Sequence, residues 1–300
     1  CFLRRKGKRK MYRQAYLIIA HRYDETFKTL LRMLDREEND IYIHMDLKNK
    51  QFNENDCKNL MNKSNIFFTK RTNVTWGGYS QINSELILLK AATEHGKYNY
   101  YHLLSGQDLP IKSGEYIMNF FVKHQGKEFV AFDKKKFDCY NRVQYYYPLQ
   151  EAVGRNRKSI IGRISAAIIL FQKCFHLKRN KGICFQKGAN WFSITDDLAR
   201  YVVKRENWIK AVFCNSICCD EVFLQTLVIN SPFSDRIYQY AASQNTEEAV
   251  MRLVDWKRGG PYVFQIEDYQ ELIDSKMLFA RKFDYEQDSD IINKIYTRGR

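Results

Sequence analysis

Two rhythms of apolar residues alternate along the first 125 positions of this chain. Short, nearly unbroken apolar runs, "QAYLIIAHR" (14–22), "DIYIHMD" (40–46), "NIFFTK" (65–70) and "YNYYHLLSG" (98–106), read as strands buried on both faces. Between them the apolar positions return every three or four residues. "ETFKTLLRMLDR" (25–36) puts Phe27, Leu30, Leu31 and Leu34 on one helical face, a second helix runs from Ser80 to about His95, and a third lies near 114–124. Strand, helix, strand in repetition predicts an α/β fold whose mostly parallel central sheet is flanked by helices. In such a sheet ligands bind beyond the carboxyl ends of the strands. Polar residues gather there: His21 and Arg22, then His44, Asp46 and Lys48, then "LLSGQDLPIK" at 103–112. A lone histidine after a strand is more often a turn or core residue; together these ends outline a cleft.

Composition changes the picture in one respect. With 300 residues, 45% hydrophobic and four prolines, the chain predicts one large domain over 13–284, between a basic tail at 1–12 and a polar tail at 285–300. Its net charge of +15 is localised: residues 1–13 hold seven Lys or Arg and 152–195 hold nine more, both without an acid. The body is therefore balanced, which argues against a nucleic-acid partner, because its binder would carry basic residues across the strand-end loops. The second basic segment, an insertion at 152–188, contains "KSIIGRISAAIILFQKCFHL", where Ile160, Ile161, Ile164, Ile168, Phe171 and Phe175 recur at helical spacing. This is a basic amphipathic helix, too short to span a bilayer and suited to lie on an anionic membrane surface. The competing reading is a basic membrane-surface or nucleic-acid binding protein on an α/β scaffold, without catalysis. Eight cysteines without a Cys-x-x-Cys pair read as reduced core thiols in a cytosolic protein, with no structural metal site. The N-terminus shows no hydrophobic signal core, and Met11 is the expected natural start.

Three stretches carry candidate chemistry. "SICCDEVFLQTLVINSPF" (216–233) opens a helix with two carboxylates. One of them, Asp220, suits the helix cap, which leaves Glu221, turned about 100° around the axis, to face the cleft. "TNVTWGGYS" places two glycines after Trp76, allowing close backbone approach, with Ser80 as the expected cap of the next helix. No Walker or GxGxxG pattern accompanies it. Near the end, "VDWKRGGPYVFQIEDYQELIDSKMLFARKFD" gathers Lys257, Arg258, Arg281 and Lys282, cations able to clamp an anionic leaving group.

The blocks "AYLIIAHR", "IHMDLKNK", "VTWGGYS", "YHLLSGQDLPIKS", "KGANWFSIT", "CCDEVFLQT", "VDW" and "LFARKFD", in this order, resemble the core-2/I-branching β-1,6-N-acetylglucosaminyltransferases and the peptide O-xylosyltransferases of glycosyltransferase family 14. The resemblance covers about residues 14–284. It implies a GT-A-like fold, a UDP-sugar donor, a glycan or lipid-linked acceptor, and inversion without a metal-binding Asp-x-Asp. The chain's one such pattern, Asp288 with Asp290, lies in the expected C-terminal tail. Block by block, the resemblance implies Glu221 as base, in a segment like Ser-Pro-Asp-Glu whose first two positions are Cys218 and Cys219 here. For the donor it implies His21, His44, Asp46, Lys48 and Trp76, with Lys282 and Arg258 at the diphosphate. Ser105, Gln107, Asp108 and Trp191 are the expected acceptor contacts. The chain looks like a microbial, cytosol-facing member, peripheral on the inner face of the membrane, with a role in polysaccharide synthesis.

Overall fold

A computed structural model describes residues 12–133, 139–239 and 246–299; the expected basic tail falls almost wholly outside them. Among the described residues nine strands form two sheets. The larger has six strands in the order β3 (Asn65–Phe68), β2 (Asn39–Met45), β1 (Gln14–Ala20), β4 (Tyr100–Ser105), β7 (Phe192–Thr195) and β6 (Phe129–Val130). β1 to β4 pair in parallel, whereas β7 runs antiparallel to both neighbours, so the sheet is mixed. A second sheet joins β5 (Asp108–Pro110), β9 (Phe279–Arg281) and β8 (Arg252–Val254).

The unbroken apolar runs are explained by the two faces of the large sheet. Alternate residues Ala15, Leu17, Tyr42, Tyr101 and Leu103 join one core, under Ile82, Leu86 and Leu89 of the helix Tyr79–His95. Tyr16, Ile18, Ile41, Ile43 and Tyr100 join the other, under Phe27, Leu30 and Leu31 of the helix Glu25–Leu34. Each such side chain contributes roughly 1.5–3 kcal/mol on burial. The register of β1 sets Ala20 beside Met45 and Ile19 beside Ser105, which brings three strand ends level at one edge.

Four expectations need correction. Residues 285–300 are not a polar tail throughout: Ser289–Gly299 is a helix that buries Ile291, Ile292 and Ile295 in the second core. Asp288, which opens the Asp-x-Asp pattern, accepts from the backbone of Asp290 and Ile291 as that helix begins. Ser80 does not cap its helix; Glu151, from across the chain, accepts from the Ser80 N–H and hydroxyl at 2.8 Å each. Of the seven described cysteines, Cys57, Cys139 and Cys219 are buried, but Cys174 and Cys184 are exposed rather than core.

The basic insertion forms the expected helix, Ile160–Cys174, capped by Ser159. Its orientation is unusual. Gly162, Ser165 and Gln172 face inward, with Gln172 bonded to both the N–H and the carbonyl of Tyr146. Ile160, Ile161, Ile164, Leu170 and Phe171 face solvent, as do Phe175 and Leu177 just beyond. The polar side anchors the helix and the apolar side is left outward, the reverse of an ordinary surface helix.

Candidate active site

At the level strand ends lies a cleft of about 570 Å³. β1 and β2 supply His21, Asp46 and Lys48, and the turn after β4 supplies Ser105 and Gln107. These side chains are fixed by one another. The buried Asp46 carboxylate accepts from the Lys48 N–H at 2.9 Å and sits 3.2 Å from the Lys48 ammonium, which also donates to the Val74 carbonyl at 2.6 Å. Asp108, buried behind the wall, accepts from the Ser105 N–H and hydroxyl and lies 3.4 Å from the Arg281 guanidinium, which stacks over Trp191. At the floor, the fully enclosed Arg252 donates to carbonyls of Leu103 and Phe192. Burial pushes its pKa down to about 10.

Positive charge collects on one side of this cleft. Arg155 lines it, stacked over Trp76, and Lys282 lies close by, where burial and then Arg281, Arg22 and Arg155 lower the pKa of its ammonium. The same field acts on His21, whose pKa is lowered first by burial and next by Lys282 and Arg22. Neither Arg155 nor Lys282 forms an ion pair among the described residues. That leaves their charge for an anion.

Glu221 also lines this cleft. Arg142 contacts its Oε2 at 2.8 Å and Lys187 at 3.5 Å, and Lys187 is held in turn by Asp133 at 2.8 Å. Both contacts fall on Oε2, which restrains the direction of the carboxylate. The Trp-Gly-Gly turn positions this loop. The Gly77 N–H donates to the Gln81 side chain, which donates to Asp220 at 3.0 Å, while the Cys218 N–H donates to the Gly77 carbonyl at 2.9 Å. Gly77 has φ +72° and a Cβ there would stand 3.0 Å from the Cys218 sulfur, so only glycine suits the turn. A second cavity of about 640 Å³ lies behind the loop, and Trp76, Gln81 and Glu221 line both spaces.

Asp220 does not cap a helix. The helix that follows is Phe223–Ile229, with Val222 at its N-cap position and no side-chain cap. Asp220 turns inward to Gln81 and toward Glu85, which is itself buried with one oxygen unpartnered. Burial, then repulsion from Glu221, pushes the Asp220 carboxyl up to about 7, and burial with Asp220 nearby holds Glu85 well above the usual carboxylate range.

The structure thus brings His21, Asp46, Lys48, Trp76, Ser105, Gln107, Trp191 and Glu221 to one cleft. The expected donor and acceptor sets share that cleft and are not separated by it. Four expected residues do not line its wall: His44, Asp108, Arg258 and Lys282. His44 is fully buried and bonded to Thr72 at 2.9 Å. Arg258 is exposed and held by Asp255, by Asp268 at 2.5 Å and by Glu271 at 3.1 Å. Sequence reasoning missed Arg142, Arg155, Lys187, Gln81, Glu85 and Trp256. Trp256 stood within a recognisable block, whereas Arg142 and Lys187 lie in no motif and are found only by their contact with Glu221. Among the described residues no cluster of three or more His, Cys, Asp or Glu is placed to hold a metal ion, and no helix is long and apolar enough to cross a membrane.

Cations and a fixed carboxylate in one cleft, above the strand ends of an α/β sheet, suit transfer of a group away from an anionic leaving group. Comparison with known proteins agrees. Residues 14–274 match the family described as Core-2/I-Branching enzyme, and the chain belongs to that glycosyltransferase family. The match ends short of Lys282, so that residue's role rests on its own block. Xylosyltransferase 2 of Rattus norvegicus is 23% identical over 306 residues, 94% of this chain and 33% of that protein. A xylosyltransferase of Ciona intestinalis is 22% identical over 305 residues, 94% of this chain and 34% of that one. A probable beta-1,3-galactosyl-O-glycosyl-glycoprotein beta-1,6-N-acetylglucosaminyltransferase 7 of Sus scrofa is 30% identical over 110 residues, 35% of this chain and 25% of that one. The chain spans about a third of the length of the xylosyltransferases it matches. The structure of mouse xyloside xylosyltransferase 1 in its apo form aligns at a TM-score of 0.37 and 8% identity, over 90% of this chain and 96% of that one, too distant to assign residues.

Proposed function

We propose that this protein is an inverting, metal-independent glycosyltransferase of GT-A-like fold, which moves GlcNAc or xylose from a UDP-sugar to a hydroxyl of a glycan acceptor in polysaccharide synthesis. The carrying observation is Glu221, held by Arg142 and Lys187 in a cleft that is also lined by Arg155, a cation with no ion pair among the described residues, with Lys282 close to it. In this reading the uridine lies toward His21, Asp46 and Lys48, the diphosphate toward Arg155 and Lys282, and the sugar between Trp76 and Trp191. The acceptor oxygen bonds to the anomeric carbon as its proton passes to Glu221 and the bond to UDP breaks, the electron pair leaving with the diphosphate. Two cations facing the leaving group supply the charge neutralisation that a divalent ion gives elsewhere. Asp288, committed to its helix, is not offered to a metal. A peripheral position on the inner face of a membrane belongs to the same reading and is supported by the outward apolar side of the helix Ile160–Cys174.

The test is UDP release from a panel of UDP-sugars in EDTA. UDP-GlcNAc or UDP-xylose should give turnover that EDTA does not diminish. Activity abolished by EDTA and restored by manganese would refute metal independence, and silence from every donor would refute transfer altogether.

A further inference from the structure

The second cavity has walls of two kinds. Val153, Ala166, Ile169, Leu170 and Ile217 are apolar, and Arg142, Arg157 and Lys173 are cationic, with Tyr147, Gln150 and Asp220 as further polar lining. Arg142 is engaged with Glu221, but Arg157 and Lys173 form no ion pair among the described residues, and residues 152–195 contain no acid to meet them. The roof is the helix Ile160–Cys174. Its inner side contributes Gly162, Ser165 and Ile169, while Ile160, Ile164 and Phe171 project outward at 77%, 50% and 57% exposure. Glu221 closes the far end, where the cavity meets the strand-end cleft.

No soluble partner matches both kinds of wall. A neutral glycan could bond to Tyr147 and Gln150 but would gain nothing from the two exposed cations and would set hydroxyls against Ile169 and Leu170. Free phosphate would pair the cations but leave the apolar wall in water. An amphiphile with an anionic head satisfies both, and the outward apolar helix flanked by cations gives its chain a bilayer to come from. We infer that the acceptor, granted the transfer reaction proposed above, is a lipid-borne saccharide joined to its chain through phosphate. The phosphate lies between Arg157 and Lys173, the sugar hydroxyl reaches Glu221, and the chain passes Ile169 and Leu170 toward the membrane. Donor and acceptor then reach Glu221 from separate cavities.

Calorimetric titration of the purified chain with farnesyl phosphate, farnesol, inorganic phosphate and UDP separates the possibilities. Farnesyl phosphate should bind at least tenfold more tightly than farnesol or phosphate. Arg157→Ala and Lys173→Ala should each weaken it about tenfold, as expected for a lost charge-assisted contact, and leave UDP affinity within twofold. Leu170→Asp, at an exposed site where the fold should tolerate it, should weaken it as well. The inference is overturned if farnesol binds as tightly as farnesyl phosphate, if the cation variants bind it unchanged, or if UDP binds and farnesyl phosphate does not. Absence of UDP release from the donor panel overturns the transfer reading instead, so the two failures are distinct.

Discussion

The two cavities that meet at Glu221 are built to different standards. The strand-end cleft is cross-braced: Asp46 holds Lys48, Asp108 holds Ser105 and Arg281, and buried Arg252 ties β4 to β7. The second cavity is roofed by one helix that hangs on few polar contacts, chiefly Gln172 with Tyr146. Just beyond the helix, Arg179 donates to carbonyls of Val212 and Asn215. Pre-organised polar groups suit a charged, invariant ligand such as a nucleotide, because their orientation entropy is lost on folding rather than on binding. A lightly anchored roof suits a ligand that arrives laterally and varies in shape. The strand-end cleft is thus the more rigidly braced of the two, and the second cavity the more lightly held.

The largest effect should fall where the cavities join. Glu221→Gln keeps the shape and a weaker contact to Arg142, so UDP affinity should persist while turnover falls about 100-fold or more, in line with loss of a general base. UDP release together with UDP titration reads both quantities. Turnover near the wild-type rate would break the assignment and with it the idea that the two spaces share a base.

Next come the cations of the braced cleft. Lys282→Ala and Arg155→Ala should each reduce turnover about tenfold or more and weaken UDP, because each removes unpaired charge from the leaving-group side. Arg258→Ala should leave turnover nearly unchanged, since its guanidinium is already committed to Asp255, Asp268 and Glu271. Equal losses in all three variants would show that overall charge matters rather than position.

How far the sequence led depends on how local each feature is. The buried strands and the helix Glu25–Leu34 were legible because unbroken apolar runs and a 3.6-residue period follow from burial within single elements. The second sheet was not, since β5, β8 and β9 are each three residues long and gain their partners only from tertiary contact. Glu221 was found through its block, but Arg142 and Lys187, 79 and 34 positions before it, meet it only in space. Arg155 was misread for a related reason: one basic segment serves both cavities, and charge counting cannot divide it. The helix Ser289–Gly299 was missed despite Ile291, Ile292 and Ile295 at helical spacing, because its many charges outweighed three isoleucines.

A smaller effect on catalysis, and the sharpest on stability, should come from the inward carboxylate of the pair. Asp220→Asn can still accept from Gln81, so turnover should fall only a few-fold, far less than for Glu221→Gln. Stability should respond differently. The folded protein holds the Asp220 proton up to about pH 7, whereas an unfolded chain releases it near its ordinary value of about 3.9. Between those limits the unfolded state is favoured as pH rises, by up to about 1.4 kcal/mol per unit, with nothing lost below the window and no further loss above it. Wild-type melting temperature should therefore drop from pH 5 to pH 8, and Asp220→Asn should flatten most of that slope. Glu85 faces Asp220 and is also raised by burial, so any remaining slope of the same sign belongs to it and should vanish in Asp220→Asn combined with Glu85→Gln. If the single variant keeps the full wild-type slope, Asp220 is ionised in the fold at pH 5. The braced wall behind Glu221 would then carry a second negative charge beside the base, and the contrast between a neutral inner and a charged outer carboxylate would be lost.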